Sequence, residues 1–140
     1  MFRRISGKTK VMYLPVTVST AIENNALVSF SSGTLIAATS STVSSDTVGI
    51  LRKAITAADA DYATARLVPV EVPVELNVVV EATVTSGLVA ADIGLYCDLT
   101  DSVTVNRAAS TYDIVQCVKV KSTTKGDFLL NIGHLARAKA

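Results

Sequence analysis

The stretch that decides the fold reads Val68-Pro69-Val70-Glu71-Val72-Pro73-Val74-Glu75-Leu76-Asn77-Val78-Val79-Val80. Every second residue from Val68 to Val80 is apolar, which is the period of a β-strand with one buried face. Pro69 and Pro73 both remove a backbone N–H donor from the same edge of that strand, because alternate residues point their donors to one side. The pattern predicts a long β-ribbon over residues 67–85 that begins at a sheet edge or at a crossing between sheets.

Further strands are predicted on both sides of this ribbon, separated by turn signals such as Asn24-Asn25 and Lys125-Gly126-Asp127. Short strands at this spacing indicate an all-β protein, either a small β-barrel or β-tulip or a sandwich. We expect at most one short helix, which would begin near Thr56 and end by Arg66, because Thr56 and Asp59 resemble a capping box and alanines follow. The predicted strands are 11–18, 26–30, 34–39, 48–55, 67–85, 93–99, 103–106, 114–121 and 128–132.

The chain divides into an N-terminal arm and a body. Residues 1–12 carry four basic side chains and no acidic one, and they contain few apolar residues, so we expect an extended basic arm that is ordered by another surface. Residues 13–140 form a β-rich body, which is one domain or two small β-modules joined by the strand at 67–85. The start of the chain also resembles a secretory signal, but Pro15 and Thr17 break its apolar run, so secretion is not expected.

Charge is segregated along the chain. Residues 13–118 hold eleven acidic against four basic side chains, a formal charge of −7, whereas the two ends together carry nine basic against one acidic, or +8. Body and ends therefore attract each other, within one copy or between copies. We predict that an acidic protein surface contacts the arm through Arg3, Arg4, Lys8 and Lys10; solvated charges at mobile ends are the alternative.

Composition favours an assembly. Apolar residues make up 49% of the chain and charged residues only 18%, so some apolar surface should be covered by another chain, and we expect a homo-oligomer. No apolar run reaches the length of about 18–20 residues that spans a bilayer, so a membrane helix is not expected. Nucleic acid is not expected as a partner because the body is acidic and aromatic residues are only 5%.

The chemistry of an enzyme is missing from the sequence. His134 is the single histidine, and it cannot form a metal cluster or a triad alone. Cys97 and Cys117 fit no C-x-x-C pattern and are expected to be small buried hydrophobes, with a disulfide between neighbouring strands as the alternative. Three carboxylate pairs lack the loop that calcium needs and are better explained as loop caps and solvated strand faces; they are Asp59/Asp61, Glu71/Glu75 and Asp98/Asp101. We therefore predict no catalytic residue, no metal and no cofactor.

Two parts of the chain resemble the small head proteins of tailed bacteriophages, in particular the capsid decoration or cement proteins. The first is Val48-Gly49-Ile50-Leu51 with Asp59-Ala60-Asp61-Tyr62-Ala63 and Leu67 to Pro73. The second runs from Asp92-Ile93-Gly94-Leu95-Tyr96-Cys97-Asp98-Leu99-Thr100 through 103–106 and 110–115 to Gly126-Asp127-Phe128.

This resemblance implies a protein that binds the major capsid protein on the exterior of the virion, often as a trimer, and is made in the host cytoplasm. It also implies an extended terminal arm, although the basic character of the arm belongs to this sequence and not to the family. The second hypothesis is a virion fibre or adhesin-type module that recognises a host surface, because such modules share the Thr- and Ser-rich β composition.

Overall fold

The computed structural model describes residues 1–85 and 87–131. The fold is all-β in this part of the chain, with eleven strands and one 3-10 turn at Ala90–Asp92. The strands are β1 Phe2–Ser6, β2 Thr9–Val16, β3 Leu27–Ser31, β4 Thr34–Ala37, β5 Thr47–Leu51, β6 Arg66–Pro73, β7 Val79–Val84, β8 Tyr96–Asp101, β9 Thr104–Asn106, β10 Val115–Ser122 and β11 Lys125–Leu130.

The strands form two small closed barrels of five strands each, which confirms the predicted all-β barrel class. The first barrel has the cyclic order β2-β4-β3-β5-β6, and the second has β7-β9-β8-β10-β11. Each barrel is closed by one parallel pair between its first and third strands, while its other pairs are antiparallel. The two barrels therefore share one topology, an internal structural repeat that the sequence does not reveal.

The ribbon predicted over residues 67–85 is interrupted, and this part of the prediction is wrong. Strand β6 ends at Pro73 and β7 begins at Val79, so the two halves of the ribbon belong to different barrels. Val74 and Leu76 are exposed, at 41% and 66%, whereas the alternation predicts that both are buried. Pairing explains the break, because β6 pairs with β2 as far as Thr9↔Pro73 and β7 pairs with β11.

The extended basic arm predicted at residues 1–12 is absent. Residues Phe2–Ser6 form β1, which pairs antiparallel with β7 of the second barrel, and β2 begins at Thr9 as the first strand of the first barrel. Phe2 is fully buried in the core of the second barrel. Contacts within the chain hold this segment, because one buried phenylalanine and a backbone ladder compensate for its few apolar residues.

Gly7 makes the sharp change of direction between β1 and β2. It has a φ of +92°, a backbone conformation that glycine adopts at no steric cost. A Cβ at this position would lie 2.6 Å from the Cα of Val78, so the crossing of the chain from barrel to barrel requires glycine. Two crossings, residues 6–8 and 74–78, run side by side here, with the N–H of Val74 donating to the carbonyl of Lys8 over 3.1 Å.

The predicted helix near Thr56–Arg66 is also absent, and turns occupy this segment. The carboxylate of Asp59 accepts hydrogen bonds from both the backbone N–H and the hydroxyl of Thr56, at 3.2 and 3.1 Å, and it also binds Arg66. Such local side-chain bonds offer the backbone an alternative to helical pairing. The predicted partnership of Thr56 and Asp59 exists, but it closes a turn.

The core has two parts that meet between the barrels. Leu14, Val28, Leu35, Val68 and Val70 fill the first barrel, with their neighbours on the same strands. The second cluster contains the interior of the second barrel together with residues of the first, and these are Leu27, Ala38 and Ile50. The barrels therefore share apolar contacts, so we expect them to fold as one cooperative unit.

Candidate interaction surfaces

The four predicted contact residues have different environments. Arg3 and Arg4 form ion pairs within the chain, Arg3 with Glu81 of the second barrel at 3.2 Å and Arg4 with Glu71 of the first at 2.7 Å. Lys8 and Lys10 are exposed, and their ammonium groups form no ion pair within residues 1–85 and 87–131. Part of the basic charge is therefore neutralised by the acidic body of the same copy, while Lys8 and Lys10 are available to a partner.

The carboxylate of Glu71, on β6 of the first barrel, accepts hydrogen bonds from side chains of both β1 and β2. Glu71 is 8% exposed, and its Oε2 accepts from Arg4 and from the hydroxyl of Thr9, both at 2.7 Å, while Arg52 lies 3.5 Å from Oε1. Three strands and a loop thus converge on one carboxylate. A buried carboxylate is stable only when it is paired and hydrogen-bonded in this way.

Glu81 has the corresponding role on the second barrel. Its carboxylate lies 2.5 Å from Lys121 Nζ, 3.2 Å from Arg3 and 3.9 Å from Lys125. The hydrogen bond from Lys121, followed by that from Arg3, lowers the pKa of Glu81 to about 2. Asp127 extends the network, since its Oδ1 is 3.2 Å from Lys121 Nζ.

The outer face of strands β2 and β6 is apolar except near Glu71, which lies opposite Val11, and we call its apolar part the ledge. It consists of side chains from register pairs along the longest strand pair of the fold, including Tyr13 opposite Pro69 and Pro15 opposite Leu67. Tyr13 is 65% exposed, Leu67 61% and Val11 53%. The residues of the ledge are Val11, Tyr13, Pro15, Leu67 and Pro69. A contiguous exposed apolar face of this kind marks an interaction site.

The second barrel shows that the fold itself does not require an apolar face here. Strands β7 and β11 hold the positions in the second barrel that β2 and β6 hold in the first. Their directly opposed pairs include Glu81 with Asp127 and Thr83 with Lys125, which are charged or polar. The outer face of β7 and β11 thus carries an ion-pair network at its directly opposed pairs, whereas that of β2 and β6 carries apolar side chains over most of its length and the ion-paired Glu71 at the position opposite Val11.

A second exposed apolar area lies on the second barrel, and we call it the distal patch. Residues 93–96 run beside β10, where the N–H of Cys117 donates to the carbonyl of Leu95 over 3.0 Å and Tyr96 pairs with Gln116. Leu95 is 53% exposed. The patch consists of Ile93, Leu95, Tyr96 and Val118, all of which are at least 41% exposed.

A cavity of about 340 Å³ adjoins the distal patch and is lined by Leu95, Tyr96, Arg107, Ser110 and Asp113. The guanidinium group of Arg107 is held by the buried Asp92 through two hydrogen bonds of 2.8 and 3.0 Å, and these bonds lower the pKa of Asp92. Oδ1 of Asp113 has no hydrogen-bond partner in the described part of the chain. Arg107 therefore gives the cavity a fixed cationic group, whereas Oδ1 of Asp113 is buried from solvent.

The crossings between the barrels form a third exposed area, which we call the junction surface. It consists of Ile5, Lys8, Val74 and Leu76, whose backbones belong to two hydrogen-bonded segments. The backbone N–H of Lys8 donates to the carboxylate of Glu75 over 2.7 Å, so the loop is fixed while the Lys8 ammonium remains exposed. Apolar side chains and an available cation are combined here.

The remaining candidates have structural roles. Cys97 and Cys117 are both free and buried, as predicted for small hydrophobes, and burial raises both thiol pKa values, that of Cys97 to about 11. Asp98 accepts three backbone N–H bonds of 2.7–2.9 Å from residues 111–113, so it caps a loop. Asp59 and Asp61 both pair with Arg66.

Within residues 1–85 and 87–131, no group of three His, Cys, Asp or Glu side chains could hold a metal ion. His134, Arg137 and Lys139 lie outside the described residues, as does the end of the strand predicted at 128–132. Among the helical segments that the structure describes, none has the length and hydropathy to cross a membrane.

Sequence reasoning missed the three apolar surfaces, although one signal was present. Val11, Tyr13 and Pro15 alternate with Met12, Leu14 and Val16, so both faces of β2 are apolar, and a strand in a small barrel needs only one. The distal patch and junction surface have no comparable sequence signal.

No protein-family model matches this sequence, and no curated protein sequence matches it significantly.

Proposed function

We propose that this protein is a non-enzymatic structural component of a virus particle, which decorates and stabilises the outer surface of a bacteriophage capsid. Its partners would be the major capsid protein and other copies of itself, most simply in a trimer. It would be made in the host cytoplasm and reside on the exterior of the virion. The resemblance of two stretches of the sequence to capsid decoration proteins motivates this proposal.

The observation that carries the proposal is the exposure of apolar side chains on rigid strand faces. The ledge, the distal patch and the junction surface together expose large apolar residues on both barrels, while Glu71, Glu81 and Asp92 are engaged within the chain. A chain with few charges that neutralises many of them internally leaves surfaces suited to other proteins. Such a body is typical of an assembly component.

Contact with the particle is assigned to the junction surface and its neighbour Lys10. Lys8 and Lys10 retain available ammonium groups, whereas Arg3 and Arg4 are paired with Glu81 and Glu71. An acidic capsid surface would attract the lysines and accelerate docking, with a modest contribution to affinity from charges at the rim. Arg3 and Arg4 remain half exposed and would contribute less.

The experiment is to add purified protein to undecorated capsids and measure occupancy across a salt series. We expect Lys8→Gln and Lys10→Gln to reduce occupancy and to weaken its salt dependence. Lys125→Gln is the matched control. This exposed lysine belongs to β11, which pairs with β7 on the side opposite β1, and its Nζ lies 3.9 Å from the carboxylate of Glu81. Failure of wild-type protein to bind capsids would refute the proposal, and equal effects of all three substitutions would refute the assigned surface.

A host-surface binding module is the second candidate, and the cavity beside Tyr96 favours it. The exposed ring of Tyr96 and the Arg107 guanidinium both line this cavity, and together they suit a polar ligand such as a glycan. Binding of wild-type protein to a glycan array, lost in Tyr96→Ala and retained in Tyr13→Ala, would reverse the order of the two candidates.

A further inference from the structure

We infer that the free edge of β2 binds an extended peptide segment of another protein, which adds to the first barrel as a short antiparallel strand. This inference goes beyond capsid decoration, because it concerns a binding mode that the isolated protein can show without any particle. Strand addition satisfies the main-chain donors and acceptors that a sheet edge leaves open, and the backbone of the peptide supplies most of the recognition.

One edge of β2 is unpaired over most of its length. The N–H of Val74 donates to the carbonyl of Lys8, and the N–H of Thr17 donates to the carbonyl of Leu35 on β4. Because the register with β6 has no shift, even-numbered residues of β2 direct their backbone groups to β6 and odd-numbered residues direct theirs to the other edge. β4 reaches that edge only at Val16↔Leu35.

Val11 and Tyr13 lie on the unpaired part of this edge. Within residues 1–85 and 87–131, their N–H and C=O groups have no ladder partner and no other hydrogen bond on that side. The two residues are 53% and 65% exposed. Two donors and two acceptors, at the spacing of a strand, are therefore available to a strand that pairs with this edge.

The equivalent edge of the second barrel already holds a strand. β7 is the counterpart of β2, since its end pairs in parallel with β9 as the end of β2 pairs with β4. Alignment of Val84 with Val16, the residues in those parallel pairs, places Glu81 on Tyr13. Glu81 pairs with Arg3 of β1, which runs antiparallel to β7. The topology thus has room for one antiparallel strand here, and within the described residues only the second barrel fills it.

The neighbouring strands limit the length of the added segment. β4 begins to pair with β2 at Val16, so the added strand has to end or turn away near Pro15. β1 ends at the corresponding place, where the amino group of Met1 donates to the carbonyl of Val103 in the turn before β9. β2 of a second copy is a poor occupant, because it continues beyond this length in its own ladder with β6.

The side chains along the edge define the chemistry of the peptide. β1 is the edge strand of its sheet and carries Arg3 and Arg4, and charged side chains oppose further strand pairing. The open edge of β2 carries Val11 and Tyr13 instead, which suit apolar residues at the outward positions of the peptide. Lys10 follows on the opposite face of β2, so an acidic residue at that end of the peptide is favourable.

The probe is a synthetic hexapeptide with a free amino group and the sequence Met-Ala-Val-Thr-Val-Glu, added to isotope-labelled full-length protein. Its third and fifth residues would pair with Tyr13 and Val11. At a peptide concentration of about ten times its Kd, we expect the amide protons of these two residues to exchange about tenfold more slowly, because exchange then occurs only from the free fraction. The amide protons of Met12 and Leu14, which face β6, should not change.

Tyr13→Pro removes one edge donor and leaves the ladder with β6 intact, because the N–H of Tyr13 points away from β6. Pro15 shows that β2 tolerates proline at an odd-numbered position. The variant should therefore keep its circular dichroism spectrum and bind the peptide more weakly by about tenfold or more, since one hydrogen bond is lost and a ring blocks the edge. Tyr13→Thr keeps the N–H and is the matched control, which should retain binding.

N-methylation of the peptide tests the pairing without changing the protein. A methyl group on its third residue removes the donor to the carbonyl of Tyr13 and should abolish protection, whereas one on its fourth residue points away from β2 and should not. Equal effects of the two methyl groups would indicate apolar contact without strand pairing. Absence of protection at millimolar peptide would show that the edge takes no strand, and protection that rises with protein concentration alone would identify a second copy as the occupant. Each of these three results overturns the inference, and none changes the capsid-binding experiment.

Discussion

Arg4 and Glu71 join the two barrels: Nε of Arg4, on the strand that the N-terminus adds to the second barrel, donates to Oε2 of Glu71 on β6 of the first barrel over 2.7 Å. The same carboxylate binds Thr9 and lies near Arg52. This contact couples the placement of β1 to the integrity of the first barrel.

The coupling can be measured with a double-mutant cycle. We expect Glu71→Gln to lower the free energy of unfolding by about 1–3 kcal/mol, because charge-assisted hydrogen bonds are lost at a mostly buried site. Arg4→Gln should lower the free energy of unfolding by less in the Glu71→Gln variant than in wild type. Urea denaturation of the two single variants and the double variant gives the interaction energy, and simple additivity would mean that Arg4 and Glu71 do not interact in solution.

Phe2 should be a principal contributor to stability, although it lies at the start of the chain. It is fully buried in the second barrel, so Phe2→Ala should destabilise the protein by about 3–5 kcal/mol. Ile5→Ala is the control, because Ile5 is 41% exposed on the same strand, and it should change stability little. Removal of residues 1–6 should therefore impair folding as well as partner binding. Equal unfolding midpoints for Phe2→Ala and wild type would show that β1 is detached.

The break in the long ribbon predicts that the same substitution affects stability very differently at Val72 and at Val74. Val72 is 2% exposed and Val74 is 41% exposed. Val72→Asp would bury an unpaired carboxylate and cost several kcal/mol, enough to unfold a domain of ordinary stability. Val74→Asp should fold normally, because its carboxylate reaches water. Thermal unfolding of the two variants is the measurement. Equally severe losses of stability would show that the strand continues without interruption through Val74.

Asp98 and Asp101 should likewise differ in how much their substitution lowers the stability of the protein. Asp98 is 3% exposed and accepts three backbone N–H bonds, whereas Asp101 is exposed and accepts one, from Val103 at 2.9 Å. Asp98→Asn should lower the free energy of unfolding by about 1–3 kcal/mol, since charge-assisted bonds weaken and one side-chain acceptor becomes a donor. Asp101→Asn should cost clearly less. The order of the two denaturation midpoints tests the capping role of Asp98.

Acid should lower the stability of the folded protein partly through protonation of Glu81. Its pKa is lowered from 4.5 to about 2 in the folded protein, so its ion pairs contribute fully above about pH 4.5, and their contribution is lost as the pH falls toward 2. Denaturation from pH 7 to pH 2.5 should show a smaller acid-induced loss for Glu81→Gln than for wild type. Glu23→Gln, at an exposed site, should follow wild type. Parallel curves for Glu81→Gln and wild type would contradict the lowered pKa.

The periodicity of the sequence was sufficient for the class of fold, because alternate burial is a local property of a strand. It placed a strand within or close to each of β2 to β11. The usual behaviour of free cysteines in strands predicted the burial of Cys97 and Cys117. Alternation could not locate the break between Pro73 and Val79, since apolar residues continue at every second position through it. Only the pairing of β6 with β2 and of β7 with β11 separates the halves.

The same limit explains the N-terminus and the candidate surfaces. Residues 1–12 carry basic side chains and the body is acidic, so the sequence alone predicted that these basic side chains contact acidic groups. Tertiary structure decided that Arg3 and Arg4 find those partners within the chain, because β1 pairs with a strand more than seventy residues away. Which apolar residues face water depends likewise on register between distant strands. The ledge exists because Tyr13 lies opposite Pro69, a relationship fixed by long-range pairing and not by any local pattern.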